Sequence, residues 1–447
     1  MKQAPKIKIP FLTYYRMAKH DLIGLRTKIF SEYGDIARGK VKGFVNYNIA
    51  HPDYAKHILQ DNQDNYFPRH PLFREVFLPF LGVNSLVMVN NMSQWYRNRI
   101  TANVSFEPRV YFNDYAHTIV QLCGEMLERW NISYKEGQYI NIANEIDELV
   151  LTIMTRTLFT SIDIDEKTIK NVIIEIIDLI KRKLSTPFFI WYFSSSRQAY
   201  QNKINYVKQL FAGIVEKRLN DSEVWDDTIG CFLQEYKNFP REKMIEFISD
   251  QIATLFAMGY FTITSLLHWA LVKLSYYPDV EKQITQEVNK VIGEKPPTYN
   301  DIISLQYLPL VLKEVLRLHP SSFSIMREAI ADDTLGGFHI SKNAGITLSV
   351  YHIHRHPDFW INPEGFNPER FQNNPLGQEH PFAYLPFGAG KRKCPGAAYS
   401  TLEVAIIIAM VVKRFRLHLP SNAEVKPHIT TLISMRPNLN RMRLHFK

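Results

Sequence analysis

Cysteine is scarce in this chain of 447 residues, which has only three. Cys123, Cys231 and Cys394 lie far apart and form no C-x-x-C pair. This spacing argues against a disulfide scaffold, a structural zinc site and a cysteine-ligated iron–sulfur cluster, because each of these needs clustered cysteines. The scarcity also indicates a reducing compartment such as the cytoplasm.

Long apolar runs are missing as well. A helix that spans a membrane needs about 18 or more consecutive apolar residues. The first 40 residues instead carry charged side chains at short intervals, and the apolar run at residues 404–412 is far too short. The N-terminus shows no signal-peptide pattern. We therefore expect no transmembrane anchor, and a location in the cytoplasm or at a membrane surface.

Charge of one sign exceeds the other only modestly. Lys and Arg number 53 against 44 Asp and Glu, which gives a net charge of +9. This charge suits an acidic partner protein, an anionic membrane surface or nucleic acid. The chain has no RNA-binding aromatic signature, zinc finger or block of like charges, so we predict an ordinary basic surface and no nucleic-acid partner. An average share of hydrophobic residues, 46%, excludes wholesale disorder, collagen and coiled coil.

Helical patterns dominate the first part of the chain. Apolar residues recur at three- and four-residue spacing over residues 112–131 and 163–184, which is typical of amphipathic helices. Residues 241–277 contain no proline and keep the same spacing. They are predicted to form one long buried helix that ends at Pro278.

The next helix is predicted from Ile302 to Leu318, before Pro320. The residue composition changes after it. Frequent glycine and proline then break residues 320–393 into short strands and an extended loop. Residues 397–415 return to a helical pattern. No linker separates independent domains, so the sequence predicts a mainly α fold with a small β lobe.

The most informative segment is residues 387–396, F-G-A-G-K-R-K-C-P-G. Pro395 is suited to the first turn of the helix that follows, which places the Cys394 sulfur at a helix N-terminus. The helix dipole and the cations at 391–393 favour a thiolate there. Glycines allow a flat ligand to approach the backbone closely. A thiolate held in this way is suited to be the axial ligand of haem iron.

This segment resembles the signature of the cytochrome P-450 superfamily of haem-thiolate monooxygenases, F-x-x-G-x-R-x-C-x-G. The alternative, an inert buried cysteine in a glycine turn, is disfavoured because structural cysteines do not usually lie among cations. The resemblance covers about residues 28–445. The matching residues, expected to bind the cofactor, are Phe387, Gly390, Arg392, Cys394 and Gly396.

Two further motifs resemble the family at its usual distance. Glu314 and Arg317 form an E-x-x-R, whose spacing places both side chains on one helix face. Arg370 lies in a P-E-R-F segment. The resemblance implies that these three residues form a buried structural triad that holds the cysteine loop. Alone, an E-x-x-R is as readily a surface ion pair.

Other positions resemble those that contact the haem propionates in the family. Trp95 and Arg99 form a W-x-x-x-R pair on a predicted helix, and Arg327 follows the E-x-x-R helix. Arg392 in the cysteine loop matches a further propionate contact. The resemblance therefore implies that these residues bind the cofactor.

The long helix departs from the family pattern. The family's A-G-x-[D/E]-T segment supplies an acid and an alcohol that relay protons to the oxygen site. Residues 258–262, M-G-Y-F-T, keep Gly259 and Thr262 as expected catalytic residues but replace the acid with Phe261. Either the relay is weak, in which case Phe261→Asp should improve coupling, or Phe261 only packs in the core and another acid or ordered water serves.

Three alternating histidines, His352, His354 and His356, imitate a zinc site, because on a strand they would share one face. The same segment resembles the family's H-R-x-P stretch, and a strand cannot continue regularly through Pro357. We therefore favour the H-R-x-P interpretation over a metal site.

The resemblance implies one cytochrome P-450 domain over residues 1–447, with its β lobe at about 35–60 and 320–380 and haem b held between the long helix and the cysteine loop. The expected activity is that of an oxidoreductase acting on paired donors, a monooxygenase that inserts one atom of O₂ into an apolar or amphipathic small molecule. The missing acid suggests a second hypothesis, a peroxygenase or hydroperoxide isomerase. A third is a non-catalytic haem sensor.

Electrons are expected from NAD(P)H through a separate ferredoxin, flavodoxin or flavoprotein reductase, because the chain has no flavin or ferredoxin domain. The cations Lys391, Arg392 and Lys393 are expected to form its docking surface, and the chain is expected to be a monomer. The substrate does not follow from the sequence. Aromatic residues that either line an access channel or pack in the core are Phe77, Phe80, Phe188, Phe189 and Trp191.

Overall fold

A computed structural model describes residues 2–41, 43–68, 70–106, 108–158, 168, 171, 175, 195–221, 227–372, 380–431 and 434–447. The α-helices in these ranges are, in chain order, α1 (Phe11–His20), α2 (Leu22–Tyr33), α3 (Pro52–Lys56), α4 (Pro71–Leu81), α5 (Met92–Ser105), α6 (Pro108–Ser133), α7 (Ile142–Leu158), α8 (Ser195–Asn220), α9 (Thr228–Tyr236), α10 (Arg241–Tyr276), α11 (Pro278–Val291), α12 (Tyr299–Ser304), α13 (Tyr307–Leu318), α14 (Val350–Ile353) and α15 (Ala397–Arg414).

The strands are short. In chain order they are β1 (Lys2–Gln3), β2 (Ile36–Val41), β3 (Phe44–Ile49), β4 (Tyr66–Phe67), β5 (Tyr139–Ile140), β6 (Ile325–Ala329), β7 (Asp333–Leu335), β8 (Phe338–Ile340), β9 (Gly345–Leu348), β10 (Phe415–His418), β11 (Pro427–Ile429), β12 (Met435–Pro437) and β13 (Met442–Phe446). The mainly α fold with small sheets that the sequence predicts is confirmed.

The chain divides into two compact units. The first, unit 1, comprises Met1–Val76, Lys313–Cys394 and Pro427–Met435. The second, unit 2, comprises Phe77–Leu312, Pro395–Lys426 and Arg436–Lys447.

A five-stranded sheet in the order β2-β3-β9-β6-β4 organises unit 1. Strands β2 and β3 form an antiparallel hairpin, β3 pairs with β9 in parallel, and β6 pairs with β9 antiparallel. One core lies against this sheet and contains Tyr47, Ile49, Ile346 and Leu348, each at most 1% exposed. The sheet thereby holds β6, which carries Arg327.

The long helix α10 dominates unit 2. Residues Ile248 to Val272 are almost all buried, and the helix packs on α7, α8 and α15. Glu242 lies in its first turn and Lys273 in its last, which complements the helix dipole. It ends at Tyr276, with Tyr277 as its C-cap, because Pro278 cannot extend it. The long helix predicted from the sequence is confirmed, as is the helix at 397–415.

The helix predicted from Ile302 to Leu318 is two helices, α12 and α13. Leu305 is extended, with ψ at 135°, and interrupts the α conformation. The carboxylate of Glu287 accepts the backbone N–H groups of Gln306, Tyr307 and Leu308 at 2.5 to 3.0 Å. The carboxylate of Glu287 therefore stabilises the N-terminus of α13. The interruption depends on a residue of another helix, so local periodicity does not reveal it.

Two other predictions have different outcomes. The region 320–393 is mostly strand and loop, as expected, but it includes the short helix α14. The helix predicted at 163–184 lies outside the described residues, apart from residues 168, 171 and 175.

Helix α10 has the length and composition of a membrane span, and no other helix of the described ranges does. However, 78% of its most apolar window is buried inside the protein. A buried core helix has the same properties, so the finding is weak evidence for a span.

Candidate functional site

The cysteine loop is held closely by its own backbone. The Cys394 N–H donates to the Phe387 carbonyl at 2.9 Å, and the Lys393 N–H donates to the Gly390 carbonyl at 3.1 Å. Gly390 has a φ of +69°, and a Cβ atom there would collide with the backbone oxygen of Leu59. The loop therefore needs glycine at this position for both its conformation and its contact.

Cys394 is exposed and lies three residues before α15 begins at Ala397. The helix follows the cysteine as the sequence predicts, but Pro395 precedes the N-cap Gly396 and does not lie in the first turn. The thiol is thus exposed near the start of a helix, where the local dipole favours negative charge.

The three cations of the loop differ in their surroundings. Lys391 and Lys393 are exposed, and Lys391 pairs with Asp64 at 3.1 Å. Arg392 is half-buried, with its guanidinium 5.9 Å from the centre of the Phe67 ring. Arg392 is therefore less open to a docking partner than the two lysines, because its side chain turns towards an aromatic ring of the protein.

Arg327 on β6 is a half-buried cation without a carboxylate partner in the described residues. Its Nη1 donates to the Met326 carbonyl at 2.8 Å. Burial lowers the pKa of this guanidinium to about 10, and no acidic group counteracts the effect. The site fits a cofactor that carries carboxylates, since haem propionates would supply the missing negative charge.

Trp95 and Arg99 lie one turn apart on α5 of unit 2. Trp95 is 3% exposed, and Arg99 is half-buried. The i to i+4 spacing places them on one face of the helix. The structure thus gives both side chains an inward position, as a propionate contact requires.

Glu314, Arg317 and Arg370 come together in unit 1. Arg317 donates to both oxygens of Glu314 at 2.7 and 2.8 Å, and Arg370 donates to Glu314 at 3.1 Å. Glu314 and Arg317 are fully buried. Arg317 also donates to the backbone carbonyls of residues 354, 363 and 365. The triad therefore fastens α13 to the irregular segment that leads towards the cysteine loop.

The three alternating histidines have three different partners. His352 lies on α14, with Nε2 2.9 Å from the Thr27 hydroxyl. His354 accepts the Leu385 N–H at 2.7 Å. His356 lies 3.2 Å from a carboxylate oxygen of Asp35. A helical turn replaces the strand that a shared face would need, so these histidines do not form a zinc site together.

A different group, Asp35, His51 and His356, has donor atoms within 4.8 Å of one another. Nδ1 of His51 accepts the Asp53 N–H at 3.1 Å, and Nδ1 of His356 accepts the Asp358 N–H at 3.3 Å. Metal-binding histidines instead donate from their second nitrogen. Both rings therefore hold the tautomer that disfavours a metal.

This arrangement recurs at two further histidines that precede proline. His70 and His380 also accept, through Nδ1, the N–H of the residue after the proline, at 3.2 and 3.1 Å. The Nε2 of His380 then faces Asp53 at 2.9 Å. Each ring caps a turn or helix start whose backbone donor would otherwise be unsatisfied.

One face of α10 is open. Between Ile248 and Val272, the residues that are only partly buried are Leu255, Met258, Gly259 and Thr262. They follow i, i+3, i+4, i+7 spacing and so form one stripe. The stripe offers apolar surface and a single hydroxyl, and no carboxylate.

Thr262 and Phe261 lie on different sides of this helix. The Thr262 hydroxyl donates to the Met258 carbonyl at 2.9 Å. Phe261 is 2% exposed and lies beside Tyr260, with ring centres 5.7 Å apart. An Asp at position 261 would therefore be a buried charge, which favours the alternative that Phe261 packs in the core.

Gly259 also has a packing role. A Cβ atom at this position would lie 2.6 Å from the Met154 methyl group on α7. Glycine therefore leaves room for the end of the Met154 side chain. The sequence motif alone does not distinguish this role from a catalytic one.

The cytochrome P450 family profile matches residues 5–444. This chain belongs to the cytochrome P450 family. Lutein deficient 5 of Arabidopsis thaliana is 26% identical over 89% of this chain and 69% of its own length. Cyclooctat-9-en-7-ol 5-monooxygenase of Streptomyces melanosporofaciens is 25% identical over 86% and 83%.

Solved structures show the same P450 fold. The retinoic acid-bound cyanobacterial CYP120A1 superposes with a TM-score of 0.86 at 22% identity, with all of both chains covered. The haem domain of cytochrome P450DA gives the same TM-score at 20% identity, over 100% of this chain and 98% of the other. As a P450, the protein is a haem-thiolate monooxygenase, an oxidoreductase that uses haem and electrons from a redox partner.

Sequence reasoning missed several residues that shape this P450 site. Leu59 faces Gly390, Phe67 lies beneath Arg392, and Gln63 accepts the Lys391 N–H at 2.9 Å. These contacts join segments more than 300 residues apart, so no local pattern indicates them. Phe77 and Phe80 are buried in α4, whereas Phe188, Phe189 and Trp191 lie outside the described residues.

Proposed function

We propose that this P450 inserts one oxygen atom from O₂ into a C–H bond of an apolar or amphipathic small molecule. Electrons would come from NAD(P)H through a separate redox protein. The observation that carries the proposal is the exposed Cys394 in a glycine loop at the start of a helix. The apolar open face of α10 supports an apolar substrate.

Cys394 is the proposed iron ligand. Cys394→Ser should abolish the red-shifted band of the ferrous carbon monoxide complex, because that band requires a thiolate ligand. Cys231→Ser is the matched control, because Cys231 is a second cysteine that is not fully buried. This variant should keep the band. A Cys394→Ser protein that retains the band would disprove the assignment.

The other proposed roles follow from charge and exposure. Bound haem supplies the activation of oxygen and the oxidising power. Arg327 and Arg392 of unit 1 would bind the propionates, as would Arg99 and Trp95 of unit 2. Thr262 is the hydroxyl on the open face of α10 and would hold the proton that oxygen activation needs. Leu255 and Met258 would contact apolar parts of the substrate and exclude water.

A peroxide-driven reaction is the second candidate. The open face of α10 has a hydroxyl but no carboxylate, so proton delivery would depend on Thr262, water or the substrate. General acid assistance is worth typically 10²- to 10⁴-fold. We therefore expect poor coupling of NAD(P)H to product and comparatively good turnover with hydrogen peroxide, which carries its own protons.

Three variants test this candidate. Thr262→Ala should lower NAD(P)H coupling by about 10-fold or more and leave peroxide turnover largely unchanged. Met258→Glu adds a carboxylate to the open face and should raise coupling. Thr254→Ala is the control, because its hydroxyl makes the same bond to a carbonyl four residues back, on the buried side. Tight coupling in the unmodified enzyme and in Thr262→Ala would contradict the proposal.

The redox partner is proposed to be acidic and to contact Lys391 and Lys393. Electron transfer should slow as salt rises, because exposed charges are screened over about 10 Å at 0.1 M ionic strength. Lys393→Glu should slow it further. Lys295→Glu, at a lysine 60% exposed in unit 2, should have little effect. Electron transfer that is insensitive to salt and to Lys393→Glu would place the partner elsewhere.

We also propose a cytoplasmic, monomeric enzyme that contacts a membrane surface through α1. Phe11 and Leu12 are each 78% exposed, and Arg16 and Lys19 on the same helix are exposed cations. Apolar and basic side chains together favour an anionic bilayer surface. Replacing Phe11 and Leu12 with Ser should reduce co-sedimentation with vesicles that contain phosphatidylserine, and unchanged sedimentation would argue against this contact.

A further inference from the structure

Arg26 on α2 is a buried cation in unit 1. The residue is 5% exposed, and its Nη1 atom is buried without a hydrogen-bond partner in the described part of the chain. The guanidinium lies 5.1 Å from the centre of the Phe323 ring. A cation–π contact attracts a guanidinium, but it does not replace the hydrogen bonds that a buried cation loses.

The titratable neighbours of Arg26 do not supply a negative charge. Burial raises the pKa of the Tyr14 phenol, which therefore stays neutral at pH 7. His70 and His352 are held neutral by burial, with pKa values lowered to about 4 and about 3, and the Arg26 charge lowers both further. Within the described residues, no carboxylate contributes to the pKa of Arg26.

Both histidines also use their nitrogens elsewhere. His70 lies 2.9 Å from the Asn46 amide oxygen and accepts the Leu72 N–H. His352 lies 2.9 Å from Thr27 and 2.8 Å from Ser349. Neither ring is therefore available to accept a hydrogen bond from Arg26.

Ser324 adds a second unpartnered group nearby in the chain. It follows Phe323, is 2% exposed, and its hydroxyl has no hydrogen-bond partner in the ranges that the structure describes. A guanidinium and a hydroxyl together are the donors that a carboxylate accepts. Leaving both unsatisfied costs the fold free energy, and a carboxylate bound at both groups would remove that cost.

These residues adjoin the cysteine loop through a short piece of chain. Strand β6 begins at Ile325, directly after Ser324. A Cβ atom at Gly388 would lie 3.8 Å from the Ile325 side chain, so this strand start contacts the cysteine loop. An elongated molecule with its charged end at Arg26 would reach the loop that carries Cys394 if it lay along this strand start.

We propose that Arg26 and Ser324 bind the carboxylate of an elongated apolar acid, which is the substrate of this P450. This inference rests on the proposed monooxygenase function and names its substrate class. The protein would recognise the carboxylate of this acid by charge and hydrogen bonding, and the remainder of the acid by apolar contact.

Binding to the haem-loaded enzyme tests the proposal without turnover. Calorimetry would compare hexadecanoic acid and dehydroabietic acid, each with its methyl ester. At least one acid should bind about 10-fold or more tightly than its ester, because only the acid carries the charge. Arg26→Met should weaken acid binding by about 10- to 100-fold and leave the ester unchanged. Equal binding of acid and ester in both pairs overturns the proposal.

Further variants separate binding from folding. Ser324→Ala should reduce the preference for the acid by about 3- to 10-fold, and Arg26→Lys should retain part of it. Without ligand, Arg26→Met should raise the melting temperature, because it removes an uncompensated buried charge. A lower melting temperature with an unchanged acid preference would assign Arg26 a purely structural role, against the proposal.

Inorganic phosphate is the other source of an anion. If phosphate stabilises the unmodified enzyme through Arg26 while acids and esters bind equally, the site binds free anions and the substrate assignment is wrong. A different result would refute the proposed function. An acid preference that depends on Arg26, in an enzyme that does not oxidise the bound acid, would refute monooxygenation of that class but retain the binding site.

Discussion

Glu403 on α15 is a buried carboxylic acid in unit 2. It is fully buried, and neither carboxylate oxygen has a hydrogen-bond partner of standard geometry in the described residues. Burial raises the pKa of Glu403 to about 8. The acid is therefore largely protonated at neutral pH, and ionising it requires charging a site that excludes water.

Glu403→Gln should stabilise the protein at high pH. The pKa in the folded state, about 8, is above the unfolded value of about 4.5. The favourable contribution of Glu403 is therefore complete below about pH 4.5 and is lost as pH rises through 8. Gln does not ionise, so at pH 8.5 the variant should gain on the order of 3 kcal/mol in unfolding free energy.

Denaturant titration at pH 5 and pH 8.5 measures this difference. The gain should fall to about 1 kcal/mol or less at pH 5, where Glu403 is neutral in the folded protein. Glu294→Gln is the control, because Glu294 is 99% exposed and should change little at either pH. Equal effects of Glu403→Gln at the two pH values would contradict a raised pKa.

Residue identities were easier to predict than their environments. Cys394, Gly390 and the three triad residues follow from motif spacing, because the motif states which chemical group each position needs. Phe261 and Arg392 show the limit. Whether Phe261 faces the core depends on how its helix is rotated in the fold. The position of Arg392 depends on Phe67, which lies far away in sequence. Arg26 carries no sequence pattern at all.

At the level of elements, the cysteine loop depends on one glycine. Gly390→Ala places a Cβ against the Leu59 carbonyl and strains a φ of +69°. The variant should lose about 2 kcal/mol or more of stability and retain haem poorly. Haem content per chain and unfolding free energy measure both effects.

Gly213→Ala is the matched control for this substitution. Gly213 lies within α8, with no atom within 4 Å of an added Cβ. Alanine favours helix over glycine by about 1 kcal/mol, so this variant should be slightly more stable. If both alanine variants behave alike, the contact with Leu59 does not constrain the loop.

Arg317 provides a second test of how elements are joined. Arg317→Met should cost about 3 to 5 kcal/mol, because it leaves the Glu314 charge buried and releases the carbonyls of three residues. Lys28→Met is the control, since the Lys28–Glu32 pair is exposed and should be worth about 0.5 kcal/mol or less. Chemical denaturation compares the two. A loss below about 1 kcal/mol for Arg317→Met would show that the triad does not anchor α13.

Element types were predicted better than element ends. The 36-residue helix α10 followed from an uninterrupted apolar period and a proline at its end. The break between α12 and α13 did not, because Glu287 from α11 makes the second helix start possible. Tertiary hydrogen bonds of this kind have no local sequence pattern.

For the whole molecule, buried neutral histidines set the response to acid. Burial lowers the pKa of His268 and His70 to about 4, and of His352 and His354 to about 3. The unfolded chain binds protons at these rings below about pH 6.5, whereas the folded protein does not. Stability from these groups is complete above pH 6.5 and is lost as pH falls.

The unfolding free energy should therefore decrease between pH 6.5 and pH 4. Each histidine contributes a slope of up to about 1.4 kcal/mol per pH unit. His268→Leu should reduce the slope by up to one histidine's share and lose little stability at pH 7, because neither ring nitrogen makes a hydrogen bond of standard geometry in the described residues. His20→Leu, on an exposed residue, should leave the slope unchanged. A slope that His268→Leu does not alter would contradict this account.

The histidines that precede proline have a consequence for magnetic resonance. In His51, His70, His356 and His380, Nδ1 accepts a backbone N–H, so the ring proton resides on Nε2. Nitrogen-15 spectra of these four rings should show an unprotonated Nδ1 and a protonated Nε2. Scalar coupling across the hydrogen bond should connect each Nδ1 to the amide proton two residues later. Adding zinc should leave these resonances in place. Zinc could bind at Nε2 only by displacing the proton that this nitrogen carries.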